Sequence, residues 1–110
     1  IRGGTYYLKK QYRRVPDEVD AVNTTCFALA SYNGGYGHLI DARKLAKQLG
    51  KNPNVWTDNV DHAYALLSEP YYAKRAKYGY CRSEEIIGYV RKIMSRYIAY
   101  DTAQNNPAVK

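Results

Sequence analysis

Apolar residues in this chain recur at steps of three and four, while strict alternation is scarce, so the pattern predicts helices and almost no strand. Tyr7, Leu8 and Tyr12 mark one side of a first helix over Gly4 to Arg14. It ends at Val15-Pro16, because the residue before a proline is pushed out of the helical region. Asp17 and Glu18 are expected to open a second helix, with Val19, Val22, Cys26 and Leu29 as its stripe and Phe27 and Ala30 widening it. Gly34, Gly35 and Gly37 then supply the positive φ angles of a helix-to-helix corner. A third helix, from Gly37 to Leu49, turns Leu39, Ala42, Leu45, Ala46 and Leu49 inward and stops at Gly50.

After a loop at Lys51-Asn52-Pro53-Asn54, anchored by Trp56, either Thr57 or Asp58 caps a short helix in which Val60, Ala63, Tyr64 and Leu67 face the core. Ser68-Glu69-Pro70 breaks the chain and starts a helix that carries Tyr71, Tyr72, Ala76 and Tyr78 and ends near Gly79. Ser83 is the expected N-cap of the last helix. There Ile86, Val90, Ile93, Tyr97 and Tyr100 share a face, and Asp101 to Lys110 reads as a frayed tail. The fold class is therefore all-α, with about six helices, short connections, no significant sheet and no linker, in one domain over residues 1–110.

Composition adds a partner class. A net charge of +7 favours an acidic polymer: nucleic acid, anionic lipid or an acidic glycan. Thirteen tyrosines against one Phe and one Trp suit half-buried surfaces and sugar-binding walls as well as cores. No stretch approaches the roughly 18 apolar residues of a membrane span, the longest run being Cys26 to Ala30. Cys26 and Cys81 form no metal-like pair with His38 or His62, and Cys26 lies on an apolar stripe, so both are expected as buried free thiols. The chain opens at Ile1 without an initiator Met or a charged leader, the look of an internal piece of a longer polypeptide.

The corner carries the most specific signal. The run Phe27-Ala28-Leu29-Ala30-Ser31-Tyr32-Asn33-Gly34-Gly35-Tyr36-Gly37-His38 resembles the A-Y-N-x-G-x-G signature of lytic transglycosylases with a goose-type lysozyme-like fold. Asp41-Ala42-Arg43-Lys44-Leu45-Ala46 and Asn52-Pro53-Asn54-Val55-Trp56 are similar to the D-A-R-x-L-A helix and N-P-x-x-W loop of the membrane-bound lytic murein transglycosylase F branch. Tyr71-Tyr72, Tyr78-Gly79-Tyr80-Cys81-Arg82-Ser83-Glu84-Glu85 and Tyr89-Val90 resemble its Y-Y, Y-G-Y-x-R-G-x-E and Y-V segments. Ser83 stands where that family has Gly, and Ile86 where Pro or Thr is common.

The resemblance implies a lysozyme-like helical lobe, the C-terminal part of a catalytic domain that cleaves the bond between N-acetylmuramic acid and N-acetylglucosamine in peptidoglycan. One carboxyl protonates the glycosidic oxygen, and the muramoyl C6 hydroxyl then closes a 1,6-anhydro ring, so no water is consumed. It implies that Tyr32 orients the acid or meets the sugar, that Asn33 fixes the turn or meets the glycan, and that Tyr89 lines the groove. Gly35, Tyr80, Arg82 and Glu85 would support that groove.

The family's acid lies in an E-S motif that this chain lacks, since its glutamates are Glu18, Glu69, Glu84 and Glu85. No catalytic residue is therefore expected within it, and the acid is expected upstream. The chain alone is expected to be inactive, to self-associate through surface that upstream helices would cover, and to belong to the bacterial periplasm or envelope, with outer-membrane attachment through a parent protein. A duller alternative is a basic, tyrosine-rich helical binding module for cell wall or nucleic acid; the resemblance points away from nucleic acid. By residue type alone, Tyr32 also reads as a core-edge residue and Asn33 as a helix C-cap. Glu84 and Glu85 read as helix N-terminal charge, and the two histidines as surface or helix-terminal residues, so neither a metal nor a cofactor is expected.

Overall fold

The computed structural model describes the backbone of residues 2–105 and the side chains of residues 7–96. Its helices are α1 (Arg2–Arg14), α2 (Ala21–Gly34), α3 (Tyr36–Gln48), α4 (Asp61–Leu66), α5 (Pro70–Ala73) and α6 (Ser83–Asn105), with no strand among the described residues. No described helix is long and apolar enough to cross a membrane. The all-α expectation holds.

Helix α2 is the hub, packing against α1, α3 and α6. Cys26, Phe27, Ala28, Leu29, Ala30 and Ser31 are consecutive and all buried, because neighbours cover this helix on nearly every side. Phe27 meets Trp56 edge-on at 6.3 Å between ring centres, and Trp56 lies 5.4 Å from Tyr64, giving the core an aromatic spine. Val60, Ala63, Tyr64 and Leu67 are buried as expected, and Ile86, Val90 and Met94 close the core from α6.

The start of α2 differs from expectation. Pro16 and Val19 close a turn, and the helix begins after Asp20, whose carboxylate accepts the Asn23 amide at 2.9 Å. Asp17 and Glu18 thus lie ahead of the helix, and Val22 is exposed on its outer face. On α1 the inward line is Leu8 and Gln11, continued by Val15 just past its end, while Tyr7 and Tyr12 flank it half in solvent. Tyr12 keeps a tie inward through its hydroxyl, which donates to the Thr25 hydroxyl at 3.1 Å. Leu49 is exposed because α3 ends at Gln48.

Two polar residues of α3 clamp the loops. Buried Asp41 accepts the backbone amides of Tyr78 at 2.8 Å and Lys77 at 3.3 Å. Arg43 donates to the Pro53 carbonyl at 2.8 Å and the Asn54 side chain at 2.7 Å, with its guanidinium 5.3 Å over the Phe27 ring. The Asp-Ala-Arg run is thus a double clamp. The helix expected up to Gly79 is shorter, for α5 stops at Ala73 and the chain runs on as turns into the Asp41 latch.

Neither Thr57 nor Asp58 caps α4. Residues Trp56–Val60 form a wide turn closed by the Val60 amide on the Val55 carbonyl at 3.0 Å, with Asp58 in the left-handed region at φ 61°. Ser83 also departs from its expected role. Its buried hydroxyl donates to the Tyr64 carbonyl, with the Cys81 carbonyl a more distant alternative acceptor at 3.3 Å, so it pins α6 to α4 instead of capping. Helix α6 continues through Asn105, and the side chains of Tyr97 and Tyr100 and all of 106–110 lie outside the described residues.

Cys26 and Cys81 are both buried and free. Burial, with Asp20 and Asp61 adding repulsion, pushes the Cys26 thiol up to about 11, and burial raises that of Cys81 as well, so both are protonated near neutral pH. Tyr64 is wholly buried, and its hydroxyl has no hydrogen-bond partner among the described residues. Since an unmet buried hydroxyl costs free energy, Tyr64→Phe is expected to raise stability by about 1 kcal/mol in urea unfolding. A loss of stability would show that the hydroxyl is satisfied.

Candidate functional site

The corner between α2 and α3 is a single residue, Gly35, at φ 96° and ψ 146°. A side chain is strained there, so only Gly35 supplies the backbone freedom expected of all three glycines. Gly34 and Gly37 are helical and serve close approach instead. A Cβ at Gly34 would stand 2.1 Å from Ile86 Cδ1, and one at Gly37 would stand 2.6 Å from the Tyr78 ring. The corner therefore presses directly on α6 and on the turn at Tyr78.

That pressing makes a cleft of about 290 Å³, lined by Asn33, Gly34, His38, Tyr80, Arg82, Glu85 and Ile86. Arg82 and Glu85 face each other at 3.6 Å, both exposed, at the start of α6. A wider depression of about 520 Å³ continues from Tyr80, Arg82 and Glu85 toward Ser68 and Ser83. Beside the cleft, Tyr32 is partly exposed, with its ring edge-on to Tyr7 at 5.8 Å between centres. Tyr89 is half-buried, and burial first and the neighbouring Tyr32 second raise its phenol above the ordinary value. Two clusters thus adjoin at the end of α2: Asn33 with Tyr80, Arg82 and Glu85, and Tyr32 with Tyr7 and Tyr89.

No protein-family model matches the chain. Among curated proteins, it is 42% identical over 109 residues to the membrane-bound lytic murein transglycosylase F of Photobacterium profundum, a match covering 96% of this chain. The protein of the same name from Aliivibrio fischeri is 42% identical over 109 residues, and that from Shewanella frigidimarina is 45% identical over 102. This chain is related to the lytic transglycosylases. It spans about a fifth of the length of these relatives, 21% of the first and 22% of the second.

The match covers nearly all of the chain, and two of the segments that resemble lytic transglycosylases, the glycine corner and the run from Tyr78 to Glu85, meet at the cleft. His38 and Tyr7 are lining or neighbouring residues that sequence reasoning did not select. The place of His38, directly after the glycine corner, is the signal that points to it. Its Nδ1 is buried without a hydrogen-bond partner among the described residues. Glu18, Glu69, Glu84 and Glu85 are all exposed. Glu85, charge-paired and in the first turn of α6, is placed as a partner for Arg82, not as an enclosed proton donor.

The wide turn also brings Asp58, Asp61 and His62 together, with ligand atoms within 4.8 Å of one another. The trio lies outside the cleft lining. His62 Nε2 is 3.5 Å from Asp58 and 4.0 Å from Asp61.

Proposed function

We propose that this chain forms one wall of a glycan-binding cleft in a peptidoglycan lytic transglycosylase of the bacterial envelope. The carrying observation is that Asn33, from the glycine corner, shares a cleft with Tyr80, Arg82 and Glu85, from a segment far along the sequence. The identity to lytic murein transglycosylases supplies the substrate class. Tyr32 and Tyr89 offer ring faces and phenol groups, suited to the apolar faces and hydroxyls of a sugar. Asn33 offers both an acceptor and donors at the mouth. Arg82 and Glu85 brace each other at the rim, a supporting role.

The reaction of the whole enzyme is the lyase chemistry described above. One carboxyl donates a proton to the glycosidic oxygen and then, as carboxylate, takes the proton of the C6 hydroxyl as the anhydro ring closes. A single carboxyl suffices because the nucleophile belongs to the substrate. None of the four glutamates of this chain is placed for that role, so the 110 residues bind glycan without cleaving it.

The test is co-sedimentation of the purified chain with peptidoglycan sacculi, followed by mass spectrometry of the soluble products. The chain is expected to sediment with sacculi and to release no 1,6-anhydromuropeptides. Tyr32→Ala and Asn33→Ala are each expected to weaken binding about tenfold, near 1.4 kcal/mol. Wild-type affinity in both variants would sink the cleft assignment, and release of anhydro products would show that the acid lies within these residues.

A further inference from the structure

A second concave site lies between α3 and the turns after α5 and shares none of the cleft's lining residues. It is a pocket of about 80 Å³, with Lys44, Gln48, Tyr72, Arg75 and Lys77 around it and Asp41 among its walls. A water molecule takes about 30 Å³ of liquid, so the pocket has room for one small group and not for a sugar ring.

Its electrostatics are one-sided. Three cationic side chains border it, and none makes an ion pair with a described carboxylate. The one acid present, Asp41, has both oxygens committed to the amides of Tyr78 and Lys77, and its single negative charge stands against the three cations.

Two of the three cations have contacts that place them. Arg75 donates to the Tyr71 carbonyl at 2.6 Å and stacks 3.6 Å over the Tyr71 ring, which leaves other guanidinium N–H groups open for an acceptor. Lys77 Nζ lies 5.5 Å from the centre of the Tyr78 ring. Leu45, Leu67 and Ala76 supply apolar wall, while Lys44, Gln48, Arg75 and Lys77 are exposed at the rim.

We propose that this pocket is an oxyanion-binding site, taking a single carboxylate or phosphate group of an acidic molecule. Arg75 supplies directed hydrogen bonds, Lys44 and Lys77 supply charge, and Gln48 and the Tyr72 hydroxyl supply neutral donors. The assignment is independent of glycan binding in the cleft.

The test is a nuclear magnetic resonance titration of the isotope-labelled 110-residue chain, with inorganic phosphate in one arm and acetate in the other. Chloride holds ionic strength constant, because a merely basic surface responds to salt. Saturable shifts are expected at Lys44 and at Arg75 to Lys77, with half-saturation in the millimolar range in at least one arm. The arm that saturates at lower concentration identifies the group. Arg75→Gln and Lys77→Gln are each expected to raise the half-saturation concentration at least fivefold, while Lys9→Gln on α1 leaves it unchanged. Shifts that stay linear in both arms, or saturation indifferent to both pocket variants, would overturn the site.

Discussion

Asp41→Ala is expected to lower the stability of the chain by about 3 kcal/mol in urea unfolding, because two hydrogen bonds to a buried carboxylate are lost together. The Asp41 side chain is 6% exposed and accepts from Tyr78 at 2.8 Å and Lys77 at 3.3 Å. The shorter bond carries more of the effect. A loss of this size is a large share of the roughly 5–15 kcal/mol that holds a small domain together. Asp41→Asn is informative because its amide has one acceptor oxygen and sets a donor against a donor on the other side, so it is expected to recover less than half of the loss. Amide hydrogen exchange at Lys77 and Tyr78 should accelerate in both variants while that of Phe27 and Leu29 follows only global stability. A change below about 1 kcal/mol in Asp41→Ala would mean that the turn is held by its own contacts and not by the latch.

The same latch explains where the sequence is legible and where it is not. The face around α4 and much of that of α2 are readable because Cys26, Phe27, Leu29, Ala30, Val60, Ala63, Tyr64 and Leu67 are apolar at helical spacing and all buried, while Val22, read on the same stripe, is exposed. The helix expected to run from Pro70 to Gly79 stops at Ala73, where the Tyr71 carbonyl takes the Arg75 guanidinium instead of the Arg75 amide, and Asp41 further on takes the amides of Lys77 and Tyr78. The start of α2 is ambiguous for a related reason. Asp17, Glu18 and Asp20 all suit a helix N-terminus, and only the coordinates show which carboxylate reaches the Asn23 amide. Gln11 is buried with both side-chain polar atoms unpartnered among the described residues, which residue type does not announce. At the site, the glycine corner is visible from local chemistry alone. The meeting of Asn33 with Arg82 and Glu85 comes from tertiary packing, and only the resemblance hinted at it. The surroundings of His38, Tyr7 and the proposed anion pocket are set by helix packing, which residue type does not announce.

Gly34→Ala is expected to destabilise the chain by about 2 kcal/mol, although a glycine within a helix normally gains about 0.5–1 kcal/mol on replacement by alanine. Sterics win here because the added methyl falls 2.1 Å from Ile86 Cδ1 and 2.7 Å from Ile86 Cγ1. Ile86 is 3% exposed and β-branched, so it has few rotamers to retreat into. The variant must either move α6 away from α2 or force Ile86 off its rotamer, and both reshape the cleft that Gly34 and Ile86 line. Gly37→Ala makes a useful contrast. Its methyl would meet the Tyr78 ring at 2.6 Å, but that ring is 47% exposed and can swing into solvent at smaller cost. A double-mutant cycle isolates the contact. Ile86→Ala alone should cost about 2–5 kcal/mol by opening a cavity. In the combined variant the alanine methyl at position 34 enters that cavity, so the two losses should fall short of additive by about 1 kcal/mol or more. Strict additivity would mean that the two positions do not touch and that a different contact sets the spacing of α2 and α6 beneath the cleft.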